Sequence, residues 1–140
     1  MQDFKQSGGC QCGQVRYTLR QEPLVIYRCP GTDCQTQSAS AFGISVRVQR
    51  AALTFSGTLN SFEKGGAERQ FCPTCGTRLL HRRPGYQNTL NFKGGTFDDT
   101  SWIMPAGDIW TGSKRSWVLL PEGAVTYDEQ ADKSNARIAA

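Results

Sequence analysis

Two close cysteine pairs, far apart along the chain, restrict its folding more than any other feature. They are Cys10-Gln11-Cys12-Gly13 near the start and Cys72-Pro73-Thr74-Cys75-Gly76 past the middle. Each pair is too tight to read as part of an ordinary long-range disulfide framework. A structural zinc takes four thiolates at about 2.3 Å in a tetrahedron, which sets neighbouring sulfurs roughly 3.8 Å apart. A C-x-C on an extended segment would turn both sulfurs to one face, because side chains alternate with period two. A C-x-x-C followed by glycine reaches the same spacing through a tight turn, with Gly76 free to take a positive φ. Two plus two fills the shell. A thioredoxin-like redox pair at Cys72 and Cys75 would explain neither the C-x-C nor the glycine flanks. The expected role of Cys10, Cys12, Cys72 and Cys75 is therefore structural: a closed shell leaves no position for substrate and ties distant segments into one fold.

With 140 residues the chain has room for one core. A single domain over 1–125 is expected, followed by a polar tail over 126–140. The formal net charge is +4 and the basic residues are scattered, with Arg47, Arg50, Arg82, Arg83, Lys114 and Arg115 forming no block. Nucleic acid is not indicated as a partner. The start, Met1 to Gln6, has no apolar stretch, and no run approaches the roughly 18 apolar residues of a membrane span. The expectation is a soluble, cytoplasmic chain without a membrane partner. In a secreted chain the six cysteines would read as bridges; in a reducing compartment, close pairs favour metal.

Apolar residues recur at period two in short runs. Val15, Tyr17 and Leu19 make one; Phe42, Ile44, Val46 and Val48 another, continued by Leu53 and Phe55 after a bend near Arg50-Ala51-Ala52. Leu24 to Tyr27, Leu59 to Phe62, Arg69 to Phe71, Leu79 to His81, Thr89 to Phe92 and Asp108 to Thr111 read as further strands, and Trp117 to Leu120 as a last apolar segment. Glu22-Pro23, Ser56-Gly57, Lys64 to Ala67 and Arg83-Pro84-Gly85 punctuate them. Gln35 to Ala41 is small and polar, either a loop or a short helical turn. With no long helical period, the fold class is mainly β, built from short antiparallel strands.

Cys29-Pro30-Gly31-Thr32-Asp33-Cys34 holds the remaining two cysteines. Two thiolates alone make an incomplete metal site, since a catalytic zinc has three protein ligands and an open position. His81 and Asp108 are the donors that could complete it. The alternatives are free thiols, a disulfide, or a thiol reactive towards glutathione. Arg28 and Lys93 could each pair with a substrate carboxylate or simply be solvated. Trp102, Trp110 and Trp117 read as core and sheet-edge packing rather than a ligand cage.

Taken in order, Gly9-Cys10-Gln11-Cys12-Gly13-Gln14-Val15-Arg16-Tyr17, Phe71-Cys72-Pro73-Thr74-Cys75-Gly76, Gly95-Thr96-Phe97-Asp98-Asp99 and Pro105-Ala106-Gly107-Asp108-Ile109-Trp110 with Trp117 resemble the glutathione-dependent formaldehyde-activating enzymes, whose domain is shared with centromere protein V. The resemblance implies a β-tent fold with a structural zinc on the outer four cysteines. It also implies a second zinc on a central C-x-C-x-x-C, where carbon-sulfur lyase chemistry joins glutathione to formaldehyde, with Cys29 and Cys34 as catalytic residues and zinc ligands. This chain departs there: Gly31 replaces the middle cysteine, Pro30 a histidine after the first, and Asp108 a histidine of the late motif. The functional expectation is a carbon-sulfur lyase-like zinc protein using a glutathione-type thiol. The alternative is a non-catalytic, zinc-stabilised binding module for a thiol ligand, nucleic acid or a protein partner.

Overall fold

The computed structural model describes residues 3–129. Strands β1 (Gln6–Gly9), β2 (Arg16–Leu19) and β5 (Leu53–Ser56) form a three-stranded antiparallel sheet. The larger sheet uses β3 (Val25–Cys29), β4 (Gly43–Gln49), β6 (Asn60–Lys64), β7 (Ala67–Phe71), β8 (Arg78–Arg82), β9 (Thr89–Lys93), β10 (Gly107–Asp108) and β11 (Val125–Thr126). Its spatial order is β11-β10-β3-β4-β9-β8-β7-β6. The expected mainly β architecture is therefore present. One departure from the antiparallel expectation is the two-residue β10, which runs parallel to both β3 and β11.

The register of the large sheet separates its faces. Ile26 faces Val46, Val46 faces Phe92 and Leu80 faces Phe92 across successive strand pairs, so these apolar side chains share one face. That face meets the small sheet, where Tyr17 and Leu19 are buried and the Tyr17 ring lies 4.4 Å from that of Phe92. Phe97 extends the cluster edge-on to Tyr17 and Trp102. On the opposite face the pairs are Tyr27 with Ser45, Ser45 with Lys93, Arg47 with Asn91, Asn91 with His81, and His81 with Arg69. One side of the sheet is thus apolar core and the other a polar, mostly basic surface.

Helix α1 (Thr32–Ser38) settles the segment left open between loop and helical turn. It begins inside the Cys29–Cys34 loop and lies beside β4. Gly43, paired with Cys29, lies against it: a Cβ there would make an ordinary contact with that of Cys34 at 3.8 Å.

Three expectations change. The polar start contains β1, which pairs with β2 from Gln6 opposite Leu19; its backbone ladder needs no apolar pattern. The apolar segment Trp117 to Leu120 forms no strand and buries Val118, while Trp117 is 68 % and Leu119 83 % exposed. The tail begins later than expected, because β11 joins the sheet and Asp128 and Glu129 accept backbone bonds from Gly112 and Trp110. The remainder of the expected tail, 130–140, lies outside the described residues.

Phe92 is fully buried between the sheets. Phe92→Ala should cost about 3–5 kcal/mol of unfolding free energy in a denaturant titration. Leu119→Ala, on the exposed loop, should stay within about 0.5 kcal/mol of the parent.

Candidate functional site

The outer clips meet. Cys10, Cys12, Cys72 and Cys75 have their sulfurs all within 4.8 Å of one another, an arrangement able to hold a metal ion. Cys10 and Cys12 Sγ are 3.5 Å apart, and Cys12 and Cys72 Sγ 3.8 Å, close to the edge of a thiolate tetrahedron. The backbone routes to this cluster are alike. Gly13 N–H donates to Cys10 C=O at 3.1 Å and Gly76 N–H to Cys72 C=O at 2.8 Å, and both glycines take φ +80°. The C-x-C is thus a turn closing the β1–β2 connection, not the extended segment expected. Its Gly13 does what Gly76 does at the C-x-x-C, avoiding the cost of a Cβ in the left-handed region.

Partners outside the four cysteines orient the sulfurs, as second-layer hydrogen bonds do at metal sites. Gln14 Nε2 donates to Cys72 Sγ at 3.3 Å and also to Thr58 C=O, while its Oε1 accepts from Thr58 N–H at 2.6 Å. Val15 N–H donates to Cys10 Sγ, and Thr77 Oγ1 lies 3.2 Å from Cys75 Sγ while accepting from Gln11 N–H. Thr77, through its hydroxyl first and then its backbone, draws the Cys75 thiol down to about 5. At Cys12 the Gln14 backbone favours the thiolate, but Cys10, burial, Cys75 and Cys72 outweigh it and push the thiol up to about 12. Four thiolates together need a cation. Neither Gln14 nor Thr77 stands out in the sequence; their only signal is adjacency to the cysteine-glycine turns.

The second pair also comes together, on the basic face of the large sheet. Cys29 ends β3 and Cys34 stands on α1, and both line a cavity of about 270 Å³ with Tyr27, His81, Arg69 and Trp110. The two thiols are neighbours in this cavity and act on each other. The bond from Cys29 brings the Cys34 thiol down to about 7, with Lys93 and Arg69 adding favourable charge against the cost of burial. Cys29 moves far upward, first through that same bond and then through burial. Cys34 is accordingly the sulfur that becomes anionic.

A second cavity of about 470 Å³ opens on the other side of Cys34, against Arg78, Lys93, Gly94 and Gly76. Lys93 Nζ lies 3.3 Å from His81 Nδ1. Burial lowers Lys93 to about 8 and Arg78 to about 10, and it holds His81 well below its ordinary value, hence neutral at pH 7.

Of the candidate donors for a metal on Cys29 and Cys34, Asp108 is committed to an ion pair and His81 lines the same cavity beside Lys93. Asp108 Oδ1 accepts from Arg28 Nε at 2.6 Å in a buried ion pair, and His81 faces Lys93. Arg28, expected at a substrate or in solvent, belongs to this internal pair and lies over the Phe42 ring. Among the described residues, no group of three or more metal-ligating side chains includes Cys29 or Cys34. The space at Gly31 is also taken: a Cβ there would meet Trp110 Cβ at 2.8 Å and stand 3.5 Å from Cys29 Sγ. Trp110 has φ +55° and ψ +36°, a left-handed conformation that costs a bulky residue on the order of 1–3 kcal/mol. Of the three tryptophans read as packing, Trp102 joins the core, Trp110 lines the cavity and Trp117 is exposed.

Fold and site together define a mainly β domain with four cysteines grouped closely enough to hold a metal ion, and a separate dithiol pocket on a basic sheet face. The chain belongs to the glutathione-dependent formaldehyde-activating enzyme family, whose model matches residues 5–113. Among solved structures, a Rhodobacter sphaeroides protein is similar in fold, with a TM-score of 0.54 at 20% identity over 86% of this chain and 98% of that one. No curated protein matches in sequence. No described helix is long and apolar enough to cross a membrane.

Removal of the metal should release the β1–β2 turn from the β7–β8 turn. Metal-loaded protein should therefore melt at least 10 °C above protein stripped by a strong chelator, a difference of several kcal/mol. The metal should stay bound at about pH 7 and dissociate as pH falls towards 5, because protons compete for the thiolates. Zinc release followed by a chromogenic chelator during acidification checks the sign.

Proposed function

We propose that this chain is a zinc-stabilised protein that binds a glutathione-type thiol at the Cys29–Cys34 pocket and promotes its reversible addition to a small aldehyde. The supporting observation is the pairing of Cys34 with a basic, partly enclosed face in a member of a family named for this chemistry. Zinc suits the outer centre, because four thiolates with about tetrahedral edges match its preference. There it supplies cross-linking of the fold, and no open position.

A catalytic zinc on Cys29 and Cys34 does not suit the residues present. Two thiols, an occupied space at Gly31, an Asp108 committed to Arg28 and a His81 that joins no three-ligand group with them among the described residues leave the third ligand unfilled. The chemistry is therefore assigned to side chains. A substrate thiolate adds through sulfur to the carbonyl carbon, the C=O π pair moves to oxygen, and that oxygen takes one proton. Lys93 is placed to hold the thiolate as an ammonium and to give the proton. Its value near 8 keeps both forms accessible around neutral pH. The proton that Lys93 gives up is replaced by the one the substrate thiol loses, and neutral His81 can accept a hydrogen bond from the ammonium at Nδ1. Free cysteines of this number suit a reducing compartment such as the cytoplasm.

The second reading is a non-catalytic module that only captures the thiol; the absent third donor beside Cys29 and Cys34 favours it. One assay separates the two. Zinc-loaded protein is mixed with glutathione and formaldehyde, and adduct exchange is followed by NMR. Acceleration is expected, declining as pH rises through about 8 because Lys93 loses its proton, and at least tenfold lower in Lys93→Met. Glutathione binding without acceleration would establish the capture module instead. Absence of both would remove the family's chemistry from this chain.

A further inference from the structure

The basic sheet face contains a charge that the protein does not itself satisfy. Arg78 Nε and Nη1 are buried and have no hydrogen-bond partner among the described residues. Such donors are costly to leave unmade, since a guanidinium gives up strong hydration on burial. Beside them lies Lys93, and the two line the larger cavity with Cys34, Gly94 and Gly76. No carboxylate lines that cavity. Asp33, at the neighbouring one, is exposed and paired with Lys64 at 2.9 Å.

Arg78 reaches this cavity because of a defect in strand pairing. Counting back two residues from the core-facing Leu80 would turn Arg78 into the apolar core. The β7–β8 ladder shifts register between Gln70 and Phe71, where Gln70 faces Leu80 but Phe71 faces Arg78. One extra residue on β8 reverses the alternation and brings Arg78 to the face that carries Arg69, His81 and Lys93. Bulges are a common means of re-aiming a side chain beside a functional site. The bulge lies directly beside the Cys72–Cys75 turn.

We propose that Arg78 and Lys93 form a carboxylate-binding subsite beside Cys34, which takes a free carboxylate of an acidic thiol. Nε and Nη1 lie on different edges of the guanidinium, so each offers a single charge-assisted hydrogen bond to a carboxylate oxygen. The Lys93 ammonium adds a point charge on the side of the sulfur. Of the other basic residues at the pocket, Arg69 donates to the Lys64 and Ala67 carbonyls and Arg83 stacks on Tyr86, so neither presents the same unmet donors. The subsite rests on the thiol-binding reading for its choice of ligand, but not for its anion preference.

The test uses zinc-loaded full-length protein and calorimetry with S-methylglutathione, which binds without reacting. Arg78→Met should weaken binding by roughly ten- to hundredfold, the loss expected for a charge-assisted pair. Arg50→Gln, the same charge change at an exposed distant site, should leave it within about twofold. The diethyl ester of S-methylglutathione, lacking free carboxylates, should bind weakly and equally to parent and Arg78→Met. Equal affinity of parent and Arg78→Met for the acid, or of the parent for acid and ester, overturns the subsite. Should the parent bind neither form, the glutathione assignment fails, and succinate and mercaptosuccinate then decide the subsite alone. Binding that Arg78→Met abolishes supports it; no binding of either overturns it. Ligand-free Arg78→Met should melt no lower than the parent, since it removes buried unmet donors. A marked drop would show that Arg78 already has a protein partner and would count against the subsite.

Discussion

Four sulfurs within 4.8 Å of one another join the two sheets of this protein. Cys10 and Cys12 belong to the turn between β1 and β2 of the small sheet, and Cys72 and Cys75 to the turn between β7 and β8 of the large one. The apolar interface of Tyr17, Leu19, Val46 and Phe92 lies between the same sheets. Hydrophobic burial holds the faces together without strong directional preference, whereas a metal held by the four sulfurs would fix one corner of the stack to within the tolerance of a coordination shell. Gln14 extends this fixation, bonding to Cys72 Sγ and to both backbone groups of Thr58.

The second consequence of this arrangement is functional. Because one face of the large sheet is committed to the core, the opposite face is free to carry Lys93, His81, Arg69 and Arg78 around two cysteines. Burial has moved Lys93 and His81 away from full protonation. In the proposed reading, these basic side chains supply the positive charge that faces an incoming acidic thiol. Trp110 occupies the space next to Gly31 where a third cysteine side chain would stand, and it does so in a left-handed backbone conformation.

Much of the fold was legible in the sequence because its strands obey period two. Val46 and Val48 mark β4, Leu90 and Phe92 mark β9, and the breaks at Pro and Gly fall between elements. The grouping of the four outer cysteines was legible for a different reason: metal ligation demands close pairs. What escaped has physical causes. Strand β1 is held by backbone ladder bonds, which leave no side-chain pattern, and the polar helix α1 buries no residue and so shows no amphipathic stripe. Arg78 was invisible because the bulge reverses the face that alternation assigns to it. Asp108 and Arg28 read as separate candidates, and only the parallel pairing of β10 with β3 shows them to be partners.

The central claim is that metal serves the fold at the outer four cysteines while the inner pair works without it. Anomalous scattering at the zinc edge, from crystals grown with zinc in modest excess, tests this most directly. The account predicts a single strong peak per chain, centred among Cys10, Cys12, Cys72 and Cys75, and none between Cys29 and Cys34. A second peak of comparable height at Cys29 and Cys34, or no peak at the outer cluster in folded protein, would contradict it.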